Sequence, residues 1–282
     1  SMGWHPETGY IAHDWTGYNE AMLVVLLALG SPTHAVAPAA WDAWSRTYAT
    51  RSWGTEFGET HLRFASFFGH HFTHAWVDFR GLADAFLRER KLDYFENTRR
   101  ATRAQRNYAI ANPAGWAGYG EDAWGITACD GPADVQREYG GRQRFFRSYA
   151  GRGMGGDHAY DDGTIAPYGA ASSMPFEPGL VAPMLARLHA QHGRHVYGRY
   201  GWYAFNRSFT YPDVKLVHGR VVPNFGWVDT DFLGIEVGPQ LLMLANHRDD
   251  AVWRAMRGQD WLVRGLERAG FAGGWLGTRG RG

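Results

Sequence analysis

The sequence has almost no cysteine, almost no net charge and no long hydrophobic run. Cys129 is the only cysteine among 282 residues, which excludes an internal disulfide and a zinc site built from several cysteines. With 29 basic and 28 acidic side chains, the chain has no strong field that would favour nucleic acid or an anionic membrane. The longest apolar run, residues 21–29, has about half the ~20 residues that a membrane span needs. We therefore expect a neutral partner and no nucleic acid.

Aromatic residues are abundant, with 13 Trp, 14 Tyr and 16 Phe. Many stand beside carboxylates, as in DYFEN (93–97), GYGEDAW (118–124) and ACDG (128–131). The C–H faces of a sugar ring stack on aromatic rings, and cleavage of a glycosidic bond needs a carboxylic acid with a second carboxylate nearby. The composition therefore favours an oligo- or polysaccharide substrate.

Helix-start and helix-stop residues predict about nine helices and very little strand. The expected helices are 16–29, 38–48, 59–68, 82–90, 94–111, 178–192, 240–246, 251–257 and 261–269. Apolar alternation predicts one short β-hairpin over 215–222, around His218 and Gly219. Long loops rich in glycine and aromatic residues lie at 112–132, 150–175 and 199–238. Loops of this length are usually functional.

The alternation of short turns and long loops predicts an all-α protein of the α/α toroid type. No linker divides the sequence, so residues 1–282 are expected to form a single domain. A toroid of six helix pairs needs twelve helices. The count of about nine predicts that further sequence, or an upstream domain of the same chain, precedes this one.

Glu20 is the strongest candidate for a catalytic acid. It is a charged residue at the start of the apolar segment 21–29, and its structural alternative is compensation of the helix dipole. A carboxyl group that has an apolar core behind it would have a raised pKa, as a general acid requires. Trp15, Tyr18 and Asn19 are residue types that often contact sugars, which favours the functional interpretation.

The other acidic candidates each have a structural alternative. Asp93 and Glu96 have the spacing of a capping box. Asp78 could pair with an arginine such as Arg80. Asp130 precedes Gly-Pro and fits either a helix cap or the floor of a cleft, and two further carboxylates flank one loop, at Asp229 and Asp231.

The histidines His70, His71 and His74 suggest a metal site, because positions i and i+4 share one helix face. The Glu of His-Glu-x-x-His is missing, and no third ligand has a recognisable spacing. We therefore predict no metal and no other cofactor. His74, close to Trp76, is instead a candidate for hydrogen bonding to a sugar hydroxyl.

Several ordered segments resemble the bacterial glycoamylase-like family. They are YNEAM (18–22), LALGSPTH (27–34), HAWVDFRG (74–81), DYFEN (93–97), WGITACDGP (124–132), DGTIAP (162–167), and GI with GP at 234–235 and 238–239. The resemblance covers about residues 14 to 271. Members of the glycoamylase-like family include β-1,2-glucanases and the transglycosylating domain of cyclic β-1,2-glucan synthases.

The resemblance implies an (α/α)6 toroid that acts on β-glucan. It implies that Glu20 is the acid catalyst, and Glu96 is our choice of partner, with Asp78 and Asp130 as further catalytic candidates. The predicted substrate contacts are Trp15, Tyr18, Asn19, His74, Trp76, Tyr94, Trp124, Asp229 and Asp231.

Two positions depart from the family pattern. Residues 172–176 read SSMPF where the family has Gly-Ser-Leu-Pro-Phe, and Glu236 only loosely matches the acidic residue that precedes Gln-Gly-Pro. We expect a glycoside hydrolase for β-1,2-linked glucan that is periplasmic or otherwise exported. The alternatives are a β-1,2-glucan transglycosylase and a glucan-binding module that lacks part of the catalytic machinery. The oligomeric state is left open.

Overall fold

The computed structural model describes residues 1–155 and 159–278, and these contain nine α-helices. They are α1 (Met22–Gly30), α2 (Ala39–Ser45), α3 (Ala85–Glu89), α4 (Tyr94–Ala111), α5 (Pro167–Ala171), α6 (Pro178–Val196), α7 (Gly234–Asp249), α8 (Ala251–Arg257) and α9 (Asp260–Arg268). One π-helical turn (Tyr48–Ser52) and two 3-10 turns (Phe67–His70 and Leu276–Thr278) complete the helical part. Among these helices, none has both the length and the apolar character needed to cross a membrane.

Short strands correct the all-α prediction. Two-stranded antiparallel sheets pair Trp4–His5 with Gly9–Tyr10, Trp53–Glu56 with Glu59–Leu62, Leu82–Ala83 with Ala272–Gly273, Ala128–Asp130 with Tyr149–Gly151, Val135–Tyr139 with Arg142–Phe146, and Tyr197–Gly198 with Gly201–Trp202. A three-stranded sheet has the order Phe205–Asn206, Gly226–Val228, Arg220–Val222. The hairpin predicted at 215–222 is therefore displaced, because Val222 pairs with Gly226 and the turn lies between them.

The helices with strong local end signals are confirmed to the residue. Helix α4 begins after Asp93, whose side chain accepts a hydrogen bond from the backbone N–H of Glu96 (2.6 Å), so the capping interpretation of this pair is confirmed. Helix α8 also has its predicted bounds. The helix predicted at 59–68 is wrong. Phe57 and Gly58 both have positive φ, 47° and 86°, and make the two-residue turn of the hairpin that ends at Leu62.

Helix α1 packs closely against α9 through two glycines. A Cβ atom on Gly30 would lie 1.9 Å from the carbonyl oxygen of Trp261, and one on Gly265 would lie 2.3 Å from that of Leu26. Leu26 and Leu29 are fully buried in the same core cluster as Leu262. This packing holds the middle and the C-terminal end of α1 against α9, and Glu20 lies two residues before α1 begins.

A buried ion pair fixes the strand that carries Asp130. The guanidinium of Arg152 donates to both carboxylate oxygens of Asp162, at 2.7 and 2.8 Å, and both side chains are fully buried. The same guanidinium donates to the carbonyl oxygens of Cys129 (2.6 Å) and Arg147 (2.8 Å). Arg152 therefore holds in place the backbone at Cys129, which precedes Asp130, and the backbone at Arg147.

Candidate active site

Two adjoining cavities form one cleft beside the start of α1 and the start of α7. The larger has a volume of about 460 Å³, and Trp15, Glu20 and Trp76 are among its lining residues. The smaller, of about 40 Å³, is lined by Phe68, Phe72, Ala128, Tyr149, Tyr168, Ile235 and Glu236. Phe72 and Ile235 line both cavities, so the two are neighbouring parts of the same cleft.

Glu20 lies in the larger cavity, held by buried neighbours. The side-chain oxygen of Asn19 accepts a hydrogen bond from the backbone N–H of Ala21 (2.9 Å), and the Tyr18 hydroxyl lies 3.2 Å from Nδ1 of His70. The Oε2 atom of Glu20 is buried and has no hydrogen-bond partner among the described residues. Burial raises the pKa of the Glu20 carboxyl, which favours its protonated form.

Glu236 lies in the smaller cavity, in the first turn of α7. Its side chain is almost completely buried, and its Oε1 atom has no hydrogen-bond partner among the described residues. Burial, followed by the charges of Asp229 and Asp130, raises the pKa of Glu236 to about 8. Each of the two parts of the cleft therefore contains a buried carboxyl group whose pKa is raised.

Behind Glu236, strand ends bring three more acidic residues together. Asp130 ends the strand Ala128–Asp130, and Asp229 follows the strand Gly226–Val228; both are buried. Burial raises the pKa of Asp130, and it raises that of Asp229 to about 6. His218 joins this group, because its Nδ1 lies 3.3 Å from Oδ2 of Asp231 and its Nε2 lies 3.8 Å from Oδ1 of Asp130.

Exposed aromatic rings lie along the cleft. Trp15, Trp76 and Tyr149 line its two cavities, and the exposed fractions of these residues are 37%, 39% and 49%. Large rings of this kind are accessible to a ligand, and they can stack against the apolar face of a sugar.

Three predicted sugar contacts lie in the protein core instead of the cleft. His74 is buried, and its Nε2 is 2.9 Å from the Thr98 hydroxyl. The Tyr94 hydroxyl donates to Asp84 (3.0 Å), and the Trp124 ring is fully buried. Tyr18 and Asn19, which precede Glu20 in the sequence, are also buried.

Asp78 and Glu96 are held by arginines and do not line the described cleft. Asp78 is buried and pairs with Arg80 (2.8 Å) and with Arg257. Glu96 pairs with three arginines of its own helix, at distances of 3.2 to 3.3 Å: Arg99, Arg100 and Arg103. These pairs give both carboxylates a structural role.

We expect Glu96→Gln to leave catalysis almost unchanged. Because the ion pairs of Glu96 are partly exposed, the free energy of unfolding should fall by about 1 kcal/mol or less. Urea denaturation, and assays on the β-glucan that the sequence resemblance implies as substrate, would measure both effects. A hundredfold loss of kcat with an intact fold would restore Glu96 as a catalytic residue.

The structure adds Glu236, His218, Tyr149 and Tyr168 to the residues of the site. Of these, only Glu236 had a sequence signal, since it stands where the family has an acidic residue before Gln-Gly-Pro. The others come from a loop (His218), the start of a strand (Tyr149) and helix α5 (Tyr168), all distant from Glu20 in sequence.

Comparison with known proteins agrees with the sequence resemblance. In Parabacteroides distasonis, an exo β-1,2-glucooligosaccharide sophorohydrolase (non-reducing end) is 25% identical over an alignment of 287 residues, which covers 94% of this chain and 35% of that protein. An endo-β-1,2-glucanase from Chitinophaga pinensis, solved with sophorotriose and glucose, has a TM-score of 0.76 and 26% identity over 95% of this chain and 58% of its own.

A third relative is a "putative glucoamylase" from Bacteroides caccae, whose crystal structure has a TM-score of 0.76 and 27% identity, over 96% of this chain and 59% of that one. The chain thus spans 35% of the curated relative and 58–59% of the two solved ones. A model of the family described as "Putative glucoamylase" matches residues 12–260. Because this match covers most of the sequence, the chain belongs to that family.

Proposed function

We propose that the chain carries the active site of a glycoside hydrolase that cleaves β-1,2-linked glucan. The observation that carries the proposal is the pair of buried carboxyl groups, Glu20 and Glu236, in adjoining parts of one cleft with exposed aromatic rings. Two of its relatives are named for action on β-1,2-linked glucose chains, which supports this choice of linkage.

In this proposal Glu20 protonates the glycosidic oxygen as the bond breaks. Its raised pKa and its free Oε2 atom suit a general acid. Glu236 is the second carboxylate, which either activates water or attacks the anomeric carbon. The anomeric form of the first product, followed by NMR, distinguishes the two cases.

Trp15, Trp76 and Tyr149 are the proposed stacking surfaces for glucose units, because they are exposed along the cleft. Asp229 and Asp231 remain candidates for contact with the substrate, on the side where Glu236 lies. The observed helices and the family resemblance support an (α/α)6 toroid as the complete architecture. Periplasmic location and organisation as a single domain remain predictions.

Incubation with linear β-1,2-glucan tests the function directly. We expect shorter oligosaccharides from this substrate and no products from β-1,3- or β-1,4-glucan, which serve as matched controls. Ring-shaped or lengthened products would instead identify a transglycosylase. Measurable binding with an unchanged substrate would show a glucan-binding module and contradict the hydrolase proposal.

A further inference from the structure

Asp130, His218 and Asp231 have the geometry of a cation site. Each offers one ligand atom, and these atoms all lie within 4.8 Å of one another. Two ligands about 2.0–2.2 Å from one metal ion are at most about 4.4 Å apart, so these side chains need only a small shift to meet at one ion. His218 and Asp231 are partly exposed, and Asp130 is buried, so an ion can reach the site from the solvent side.

A second observation at the same place is the unsatisfied carboxylate of Asp229. Its Oδ1 atom accepts hydrogen bonds from the backbone N–H groups of Thr230 (2.8 Å) and Asp231 (3.3 Å). Its Oδ2 atom is buried and has no hydrogen-bond partner among the described residues. Asp229 is 2% exposed and interacts electrostatically with both Asp130 and Asp231. A buried carboxylate oxygen without a partner is costly, and a cation beside it removes that cost.

Neighbouring protein groups supply little compensating charge. Arg152 acts electrostatically on Asp130, but its guanidinium is bonded to both oxygens of Asp162. Asp130, Asp229 and Asp231 thus bring up to three negative charges to one place, with His218 as the only ionisable base among the site's own side chains. Binding of a cation would offset this negative charge.

We propose that Asp130, His218 and Asp231 bind one divalent transition-metal ion, with the free oxygen of Asp229 beside it. One imidazole nitrogen with carboxylate oxygens suits Mn²⁺ or Zn²⁺. Ca²⁺ suits the site less well, since it takes six to eight oxygen ligands. The site is distinct from the histidine group considered in the sequence. In that group, His71 lies 2.8 Å from the Ser173 hydroxyl, and His70 and His74 are buried with partners of their own.

Metal titration of the whole chain tests this proposal without any glucan, so its outcome is independent of the proposed hydrolysis. The protein is first dialysed against EDTA, and Mn²⁺ binding is then followed by the EPR signal of the free ion. We expect saturable binding of about one ion per chain. Each of His218→Gln and Asp231→Asn should weaken the affinity at least about tenfold, because each removes a ligand.

Two controls keep the result specific to this site. His195→Gln changes a partly exposed histidine on α6, and Asp42→Asn changes an exposed carboxylate on α2; both should bind Mn²⁺ like the wild type. Zn²⁺ should raise the Tm of the wild type and of both controls, but not that of His218→Gln. This second measurement also shows that each variant is folded.

The proposal would be overturned by either of two results. One is the lack of saturable binding up to about 1 mM Mn²⁺, a concentration at the weak end of the affinities of extracellular Ca²⁺ modules. The other is unchanged affinity in both His218→Gln and Asp231→Asn, which would place any bound ion elsewhere on the chain.

Discussion

Glu20→Gln is expected to lower kcat on β-1,2-glucan by about 10²–10⁴-fold, which is the usual contribution of a general acid. Glutamine keeps the shape of the side chain but cannot donate a proton to the glycosidic oxygen. The fold should be preserved, because the Oε2 atom of Glu20 has no hydrogen-bond partner that the change would break. Steady-state kinetics on the linear glucan, with circular dichroism as the check on folding, measure the effect.

A substrate with a better leaving group separates protonation from other roles of Glu20. A nitrophenyl glycoside of a β-1,2-linked oligosaccharide needs almost no acid assistance, so Glu20→Gln should cleave it at a rate close to that of the wild type. Glu267→Gln, which changes an exposed glutamate on α9, is the matched control and should behave as wild type on both substrates. Equal losses on both substrates would contradict the acid role and leave Glu20 with a binding role.

Local signals in the sequence were sufficient for parts of the fold. Helix α4 was predicted to the residue, because the Asp93 side chain caps its first turn and Asn112 ends it in the left-handed conformation. The strands were missed because they have only two to five residues, which is too short for a clear alternation of apolar side chains. The turn at Phe57 and Gly58 depends on positive φ at a phenylalanine, which no sequence pattern here indicated.

The residues of the candidate site also differ in how well local sequence signals predict them. Glu20 could be proposed from the sequence because the signal is local: a charged residue stands immediately before an apolar helix. No comparable local signal identified Glu236 as a catalytic candidate. Its raised pKa depends on burial and on Asp130 and Asp229, and Asp130 lies more than 100 positions earlier in the chain. Glu96 was chosen as the partner of Glu20 when the family resemblance was considered, whereas the structure pairs it with Arg99, Arg100 and Arg103 of its own helix.

Glu236→Gln is expected to lower kcat by a factor similar to that of Glu20→Gln, because an amide can neither accept a proton from water nor act as a nucleophile. The catalytic form of Glu236 is the ionised one. Burial and neighbouring charge raise the pKa of Glu236 to about 8, so its ionisation makes activity rise with pH towards that value, while loss of the proton from Glu20 makes it fall. The wild type should therefore show a bell-shaped dependence of activity on pH. The assay should contain a chelator, so that a bound cation does not alter this dependence.

Glu236→Gln should be more stable than the wild type at high pH, where the wild type loses stability. In the folded state the pKa of Glu236 is raised from 4.5 to about 8, so its protonated form contributes its full stability below pH 4.5. This contribution disappears as the pH rises through about 8. At about 1.4 kcal/mol per pKa unit, the loss is on the order of 5 kcal/mol between these limits. Glutamine does not ionise, so Glu236→Gln avoids the cost of a buried charge.

Urea denaturation at pH 5 and pH 9 measures this difference directly. The unfolding free energy of Glu236→Gln should exceed that of the wild type by a few kcal/mol at pH 9, and the two should nearly coincide at low pH. Glu267→Gln should follow the wild type at both values. If Glu236→Gln lost activity without this pH-dependent gain in stability, the charged form of Glu236 would be stabilised in the folded protein, and the second carboxylate would have to work at a lower pKa.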